Sequence, residues 1–213
     1  MTKLDIYWSY RSPYSYLATD RLISIRNDYA VDVDFRVVRP LALREDGFFK
    51  RARPQFLPYL MKDMVREGAR IGRPITLPNP DPIIMDMATG EVAPDQPHIE
   101  LLMSLGVAAC EAGKGLEFAA AASRRVWGGV EAWHEGDHLA EAAREAGLDL
   151  AALDQWRAEN ADAVKARIAE NEAEQMKHHW GVPLMVLDDE DAYFGQDRLE
   201  ALCWRLDNMG ARR

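Results

Sequence analysis

Short apolar alternations mark the two ends of the chain, and helical spacing fills the stretch between them. Leu4-Asp5-Ile6-Tyr7-Trp8 and Val31-Asp32-Val33-Asp34-Phe35-Arg36-Val37 both read as strands, the second with clear period-two alternation. Residues from Pro13 to about Asn27 read as a helix between them. Strand, helix, strand predicts a βαβ unit. Near the other end, Pro183-Leu184-Met185-Val186-Leu187 and Ala192-Tyr193-Phe194 flank the acidic turn Asp188-Asp189-Glu190-Asp191, which predicts a hairpin. A last helix follows, with Leu199, Leu202, Cys203, Leu206 and Met209 on one face at spacings of three and four.

The middle of the chain is helical by spacing, with Ile99, Leu102, Met103 and Cys110 marking one apolar face and Ala161, Val164 and Ile168 another. Two parallel strands do not make a stable sheet alone. The simplest arrangement is therefore an α/β fold in which the terminal βαβ and ββα segments share one sheet. Residues 1–40 and 178–213 would form that domain, and 41–177 an inserted helical one. One irregular stretch, 73–97, carries Pro74, Pro78, Pro80, Pro82, Pro94 and Pro97 and reads as a lid over a cleft.

Composition narrows the function. The chain has 213 residues, 48% of them hydrophobic, which excludes disorder and supplies ample core. A net charge of −9 with dispersed arginines argues against a nucleic-acid partner. No stretch is long and apolar enough for a membrane span, and the N-terminal residues enter a strand without a signal-peptide core, so the expected location is the cytoplasm. Cys110 and Cys203 lie far apart within helical patterns and are expected to be free thiols.

The strongest local signal is Ser12-Pro13-Tyr14-Ser15, between the first strand and its helix. Ser at the cap and Pro at the first helical position simply start a helix. The same hydroxyl also sits where unpaired N–H groups stabilise an anion, and the two roles are compatible. His134-Glu135-Gly136-Asp137-His138 fits a zinc-protease motif, but Gly136 weakens a helix there and no third ligand follows, so it reads as a polar connection and no metal is expected. His178 and His179 follow a helix, where a cation would favour the dipole. Tyr7, Trp8 and the tyrosines near Ser12 offer a partial aromatic wall, since alternate strand positions face opposite ways. Nucleotide-binding glycine motifs are absent.

Ser12-Pro13-Tyr14-Ser15-Tyr16-Leu17-Ala18, Trp180-Gly181-Val182-Pro183 and Gly195-Gln196-Asp197-Arg198-Leu199 occur in that order, with Lys62-Asp63-Met64-Val65-Arg66-Glu67-Gly68-Ala69 and Gly72-Arg73-Pro74 between them. Together they resemble thioredoxin-fold proteins of the disulfide-oxidoreductase A (DsbA) type. Within these, the resemblance is to the 2-hydroxychromene-2-carboxylate isomerase and kappa-class glutathione transferase branch, over nearly the whole chain. It implies a thioredoxin-like fold with a helical insertion, glutathione as cofactor, a small aromatic substrate and a homodimer. Ser12 would handle the glutathione thiol, Val182 before a cis Pro183 would pair with its backbone, and Gln196 and Asp197 would meet its γ-glutamyl end. Lys50 and Arg11 would hold a substrate carboxylate or phenolate. The redox relatives carry two cysteines where this chain has Ser12 and Ser15, so dithiol exchange is excluded at this site. Asp197 also reads as a helix cap. Pro54 stands where related isomerases have Asn, and Ser9 where an aspartate is common. The expected activity is glutathione-dependent cis/trans isomerisation of an aromatic catabolite. The alternatives are a glutathione transferase and a non-catalytic peptide-binding module.

Overall fold

A computed structural model describes residues 2–86 and 89–213; Met1, Met87 and Ala88 lie outside it, the last two within the proline-rich stretch. Strand β1 (Thr2–Trp8), helix α1 (Pro13–Asp28) and strand β2 (Val31–Val37) form the expected unit, with Leu4 level with Val33 in parallel register. Strands β3 (Leu184–Leu187) and β4 (Asp191–Phe194) form the hairpin, and β3 runs antiparallel to β1 with Ile6 opposite Met185. The sheet order is β2-β1-β3-β4. Pro183 stands just before β3 rather than in it. Asp188 and Asp189 turn the hairpin with φ of 50° and 61°, a left-handed pair that short Asp side chains tolerate.

Alternation along β1 explains how the sheet is covered. Leu4, Ile6 and Trp8 join the main core with Phe35, Met185, Leu187 and the α1 residues Leu17, Leu22 and Ile25. Tyr7 faces the opposite way, with Val38, Leu184 and Val186 and with Val182 packed against them. Both Tyr7 and Trp8 are thus buried, and neither forms a ligand wall.

Helices α2 (Leu41–Arg44), α3 (Phe48–Arg51), α4 (Phe56–Arg70), α5 (Pro97–Glu111), α6 (Gly115–Trp127), α7 (His138–Glu145), α8 (Leu150–Glu159) and α9 (Ala161–Gln175) all fall between β2 and β3. α9 is bound to the sheet edge where Asn171 donates to the Val37 carbonyl at 2.9 Å and Glu172 accepts from the Arg39 guanidinium. Val164 and Ile168 are buried as their spacing predicts, whereas Ala161, the first residue of α9, is exposed. The final helix, α10 (Leu199–Asn208), buries Leu199, Leu202 and Leu206. It stops one residue short of Met209, which is exposed. Cys110 and Cys203 are both free.

The proline-rich stretch is a strap rather than a lid. Thr76 N–H donates to the Trp127 carbonyl, Trp133 Nε1 to the Pro80 carbonyl and Tyr16 Oη to the Pro74 carbonyl, each at 2.8 Å. Gln96 ties it to itself through Ile84 and Ala93. His134 to Asp137 form the turn between α6 and α7, with only His138 on a helix, and the His134 ring packs on His98 at 4.3 Å. No helix among the described residues is long and apolar enough to cross a membrane.

Candidate active site

Ser12 caps α1 from extended backbone, its Oγ accepting the Ser15 N–H at 3.2 Å, with Pro13 in the first turn. From that position Oγ also donates to the Val182 carbonyl at 3.4 Å. The contact is long for a hydroxyl donor, so its proton is weakly held. The Val182–Pro183 bond is cis. Residues 170 apart in sequence thus meet at the C-terminal end of β1, where ligands gather in α/β sheets.

Two hollows adjoin at this contact. The first, about 190 Å³, is apolar and ringed by Phe48, Phe49, Phe56, Trp180, Phe194 and Tyr14, with Ser9, Arg11 and Ser12 in its wall. The second, about 870 Å³, is polar and shares Tyr14, Val182 and Phe194 with the first. It sets Asp63, Glu67, Asp197 and Glu200 among Arg21, Arg70 and Arg198. Gln196 is only 3% exposed; its Nε2 donates to Glu67 at 2.7 Å, while its Oε1 has no partner among the described residues. Burial, joined by donation of Tyr14 Oη to Asp63 at 2.7 Å, pushes the Tyr14 phenol well above its ordinary range. Asp197 is exposed and makes no capping bond; Gly195, at φ 102°, brings the backbone so close that a side chain there would meet the Asp197 carboxylate.

The loop before Pro183 is pinned on its backbone groups. Gln175, fully buried at the end of α9, donates to the Gly181 carbonyl at 2.7 Å and accepts from Arg44 at 2.7 Å. Arg44 also donates to the Trp180 carbonyl at 2.8 Å. A Cβ on Gly181 would run into the Phe194 ring. His179 stacks on Phe194 at 3.9 Å, and its Nδ1 accepts the Gly181 N–H at 2.9 Å. An accepting Nδ1 requires an unprotonated nitrogen. Burial likewise lowers the His179 pKa from its ordinary value. His179 is therefore a neutral acceptor rather than the helix-end cation its sequence position predicts. A nitrogen-15 imidazole titration is expected to give His179 a pKa below that of an ordinary imidazole, and a midpoint at or above the ordinary value would count against the Gly181 contact.

The structure brings Arg11, Ser12 and Val182 to the apolar hollow and Val182, Gln196 and Asp197 to the polar one. Lys50 lines neither; it is exposed on α3, paired with Glu91 at 3.1 Å. Arg11 is held by Asp81. The aromatic ring, the Tyr14–Asp63 pair and the Arg44–Gln175 relay escape a reading of sequence alone. One signal was present: Tyr59, Asp63 and Glu67 recur every fourth residue, the spacing of one helix face, and all three line the polar hollow.

A thioredoxin-type sheet with a serine at the helix start, opposite a cis proline, defines a thioredoxin-fold protein without a dithiol. Residues 3–207 match the DSBA-like thioredoxin domain, and the chain belongs to that family. It is 28% identical over 208 residues to a protein named 2-hydroxychromene-2-carboxylate isomerase from Sphingobium xenophagum, covering 95% of this chain and 97% of that one. A solved 2-hydroxychromene-2-carboxylate isomerase superposes with a TM-score of 0.70 at 22% identity, covering 97% of this chain and 95% of that one. A probable DsbA oxidoreductase from Streptomyces coelicolor follows at 0.66 and 17%, covering 100% and 92%. These superpositions establish the fold.

Proposed function

We propose that the chain is a glutathione-dependent isomerase that interconverts cis and trans forms of an aromatic catabolite. The observation that carries the reading is the position of Ser12, where a polar hollow suited to a charged peptide meets an aromatic one.

Glutathione fits the residues present. Its ammonium and two carboxylates find opposite charges in a hollow that mixes four carboxylates with three guanidinium groups, and the unpartnered Gln196 Oε1 is a buried acceptor awaiting a donor. When bound, glutathione supplies a thiolate whose reversible addition to a conjugated C=C bond lets that bond rotate before elimination restores it. The chain's own groups do the rest. The Val182 backbone pairs with the extended peptide as an added strand. With the Val182 carbonyl engaged by a peptide N–H, the Ser12 hydroxyl would be free to donate to the sulfur. Asp197 and Gln196 hold the γ-glutamyl end. The ring of Phe48, Phe49, Phe56, Trp180 and Phe194 receives the aromatic substrate. Of the two cations expected to hold a substrate anion, Lys50 lies outside both hollows and Arg11 is already paired with Asp81.

A crystal structure with glutathione tests the reading. The peptide is expected antiparallel to Val182, with its sulfur about 3 to 3.5 Å from Ser12 Oγ. Product analysis is expected to show isomerised substrate with glutathione undiminished; a glutathione conjugate as the end product would make the protein a transferase instead. Glutathione lying elsewhere would overturn both and leave the peptide-binding module.

A further inference from the structure

The cation in the aromatic hollow is already neutralised from within the chain. Arg11, next to Ser12, meets Asp81 in a two-point fork, Nε at 3.1 Å and Nη2 at 2.9 Å, with its side chain 14% exposed. Its guanidinium also lies over the Phe49 ring at 5.5 Å. A planar fork of this kind is the strongest arrangement for an arginine–carboxylate pair.

Asp81 is not a loose surface acid that a ligand can brush aside. Its Oδ1 also accepts the Ile83 N–H at 3.0 Å. The backbone on its N-terminal side is fastened twice, by Ala132 N–H to the Asn79 carbonyl and by Trp133 Nε1 to the Pro80 carbonyl, each at 2.8 Å. The contrast with Lys50 is instructive: its Glu91 partner is 69% exposed, and such exposed pairs exchange at little cost. In the same wall, Ser9 is buried and its hydroxyl has no partner among the described residues. The hollow therefore combines a satisfied cation with an unpaired hydroxyl.

We infer that Asp81 is a specificity-determining residue: by occupying Arg11 it makes the aromatic hollow prefer a ligand whose polar end is an uncharged carbonyl or amide over the corresponding carboxylate. A carboxylate entering the hollow must either displace Asp81, leaving that acid partly buried without its cation, or lie beside a pair whose net charge is zero. Both cost affinity relative to a neutral ligand. The inference rests on the proposed function in taking the hollow as the substrate site, and it narrows the substrate to aromatic compounds uncharged at the end that enters.

Calorimetric binding of cinnamamide and cinnamate, matched in shape and differing in charge, tests it without turnover. The wild-type protein is expected to bind cinnamamide about tenfold more tightly than cinnamate. Asp81→Asn keeps the Ile83 contact and frees Arg11; cinnamate is expected to gain about tenfold while cinnamamide stays within about twofold. Arg11→Gln on the Asp81→Asn background is expected to abolish the gain. A wild-type preference for cinnamate overturns the inference whether or not the variants fold, as does an unchanged ratio in folded Asp81→Asn. Failure of both probes to bind at millimolar concentration also overturns it. Glutathione titration of the same samples separates the outcomes: absence of glutathione binding removes the isomerase reading, whereas normal glutathione binding with the wrong probe preference removes only the role of Asp81.

Discussion

Ser12→Ala is expected to raise the thiol pKa of bound glutathione by about one to two units, each worth about 1.4 kcal/mol of preference for the anion. The geometry explains why the effect should reach the sulfur. Ser12 Oγ accepts one bond, from Ser15 N–H, and its own proton goes to the Val182 carbonyl at 3.4 Å. The alanine variant loses both contacts. Loss of the cap costs about 1 kcal/mol, or about 2 to 4 °C in melting temperature for a chain of this size. Loss of the donor leaves the thiolate with only the helix start to stabilise it. Ultraviolet thiolate absorbance against pH, with thermal unfolding in parallel, separates the two roles. Equal titration curves alongside a lowered melting temperature would leave Ser12 as a cap and remove it from the mechanism. Ser12→Cys is a second variant. Its thiolate, favoured at the helix start, would attack oxidised glutathione to form a mixed disulfide and release one reduced glutathione. With Ser15 in the resolving position, that adduct should persist, and mass spectrometry would detect it.

What could be read from sequence follows from the range of the interactions. β1, β2 and the 184–194 hairpin were legible because alternation and the acidic turn are local signals. Ser12, Val182, Gln196 and Asp197 were legible because each lies in a short motif that resembles the family's. The aromatic ring was not, because Phe48, Phe56, Trp180 and Phe194 come from separate elements, and an apolar residue at helical spacing reads first as core. Asp81 carries no local signal at all: its meaning comes from a fork to Arg11, 70 residues away. Arg44 illustrates the same limit, because its position in the chain does not reveal that burial lowers its pKa or that its contacts are to an amide and a carbonyl.

That buried pair is where substitution should cost most. Gln175→Leu is expected to destabilise the fold by about 3 kcal/mol and to weaken glutathione binding by more than about tenfold. The leucine leaves the Gly181 carbonyl without its donor and Arg44 Nη1 without its acceptor, Nη2 keeping the Trp180 carbonyl, and unpaired buried groups of these kinds cost about 1 to 3 kcal/mol each. Binding suffers because the two lost contacts fix the backbone that presents Val182 and the Trp180 ring. Gln175→Glu distinguishes placement from packing. It restores an acceptor for Arg44, now as an ion pair, but sets a carboxylate oxygen against the Gly181 carbonyl at the 2.7 Å contact. Stability should therefore recover in part while glutathione affinity does not. The thiol pKa of whatever glutathione does bind should stay at the wild-type value, since Ser12 is untouched. Denaturant unfolding, glutathione calorimetry and thiolate titration read the three quantities separately. Wild-type affinity in Gln175→Glu would mean that Gln175 only fills space, and that the loop carrying Val182 keeps its position without it.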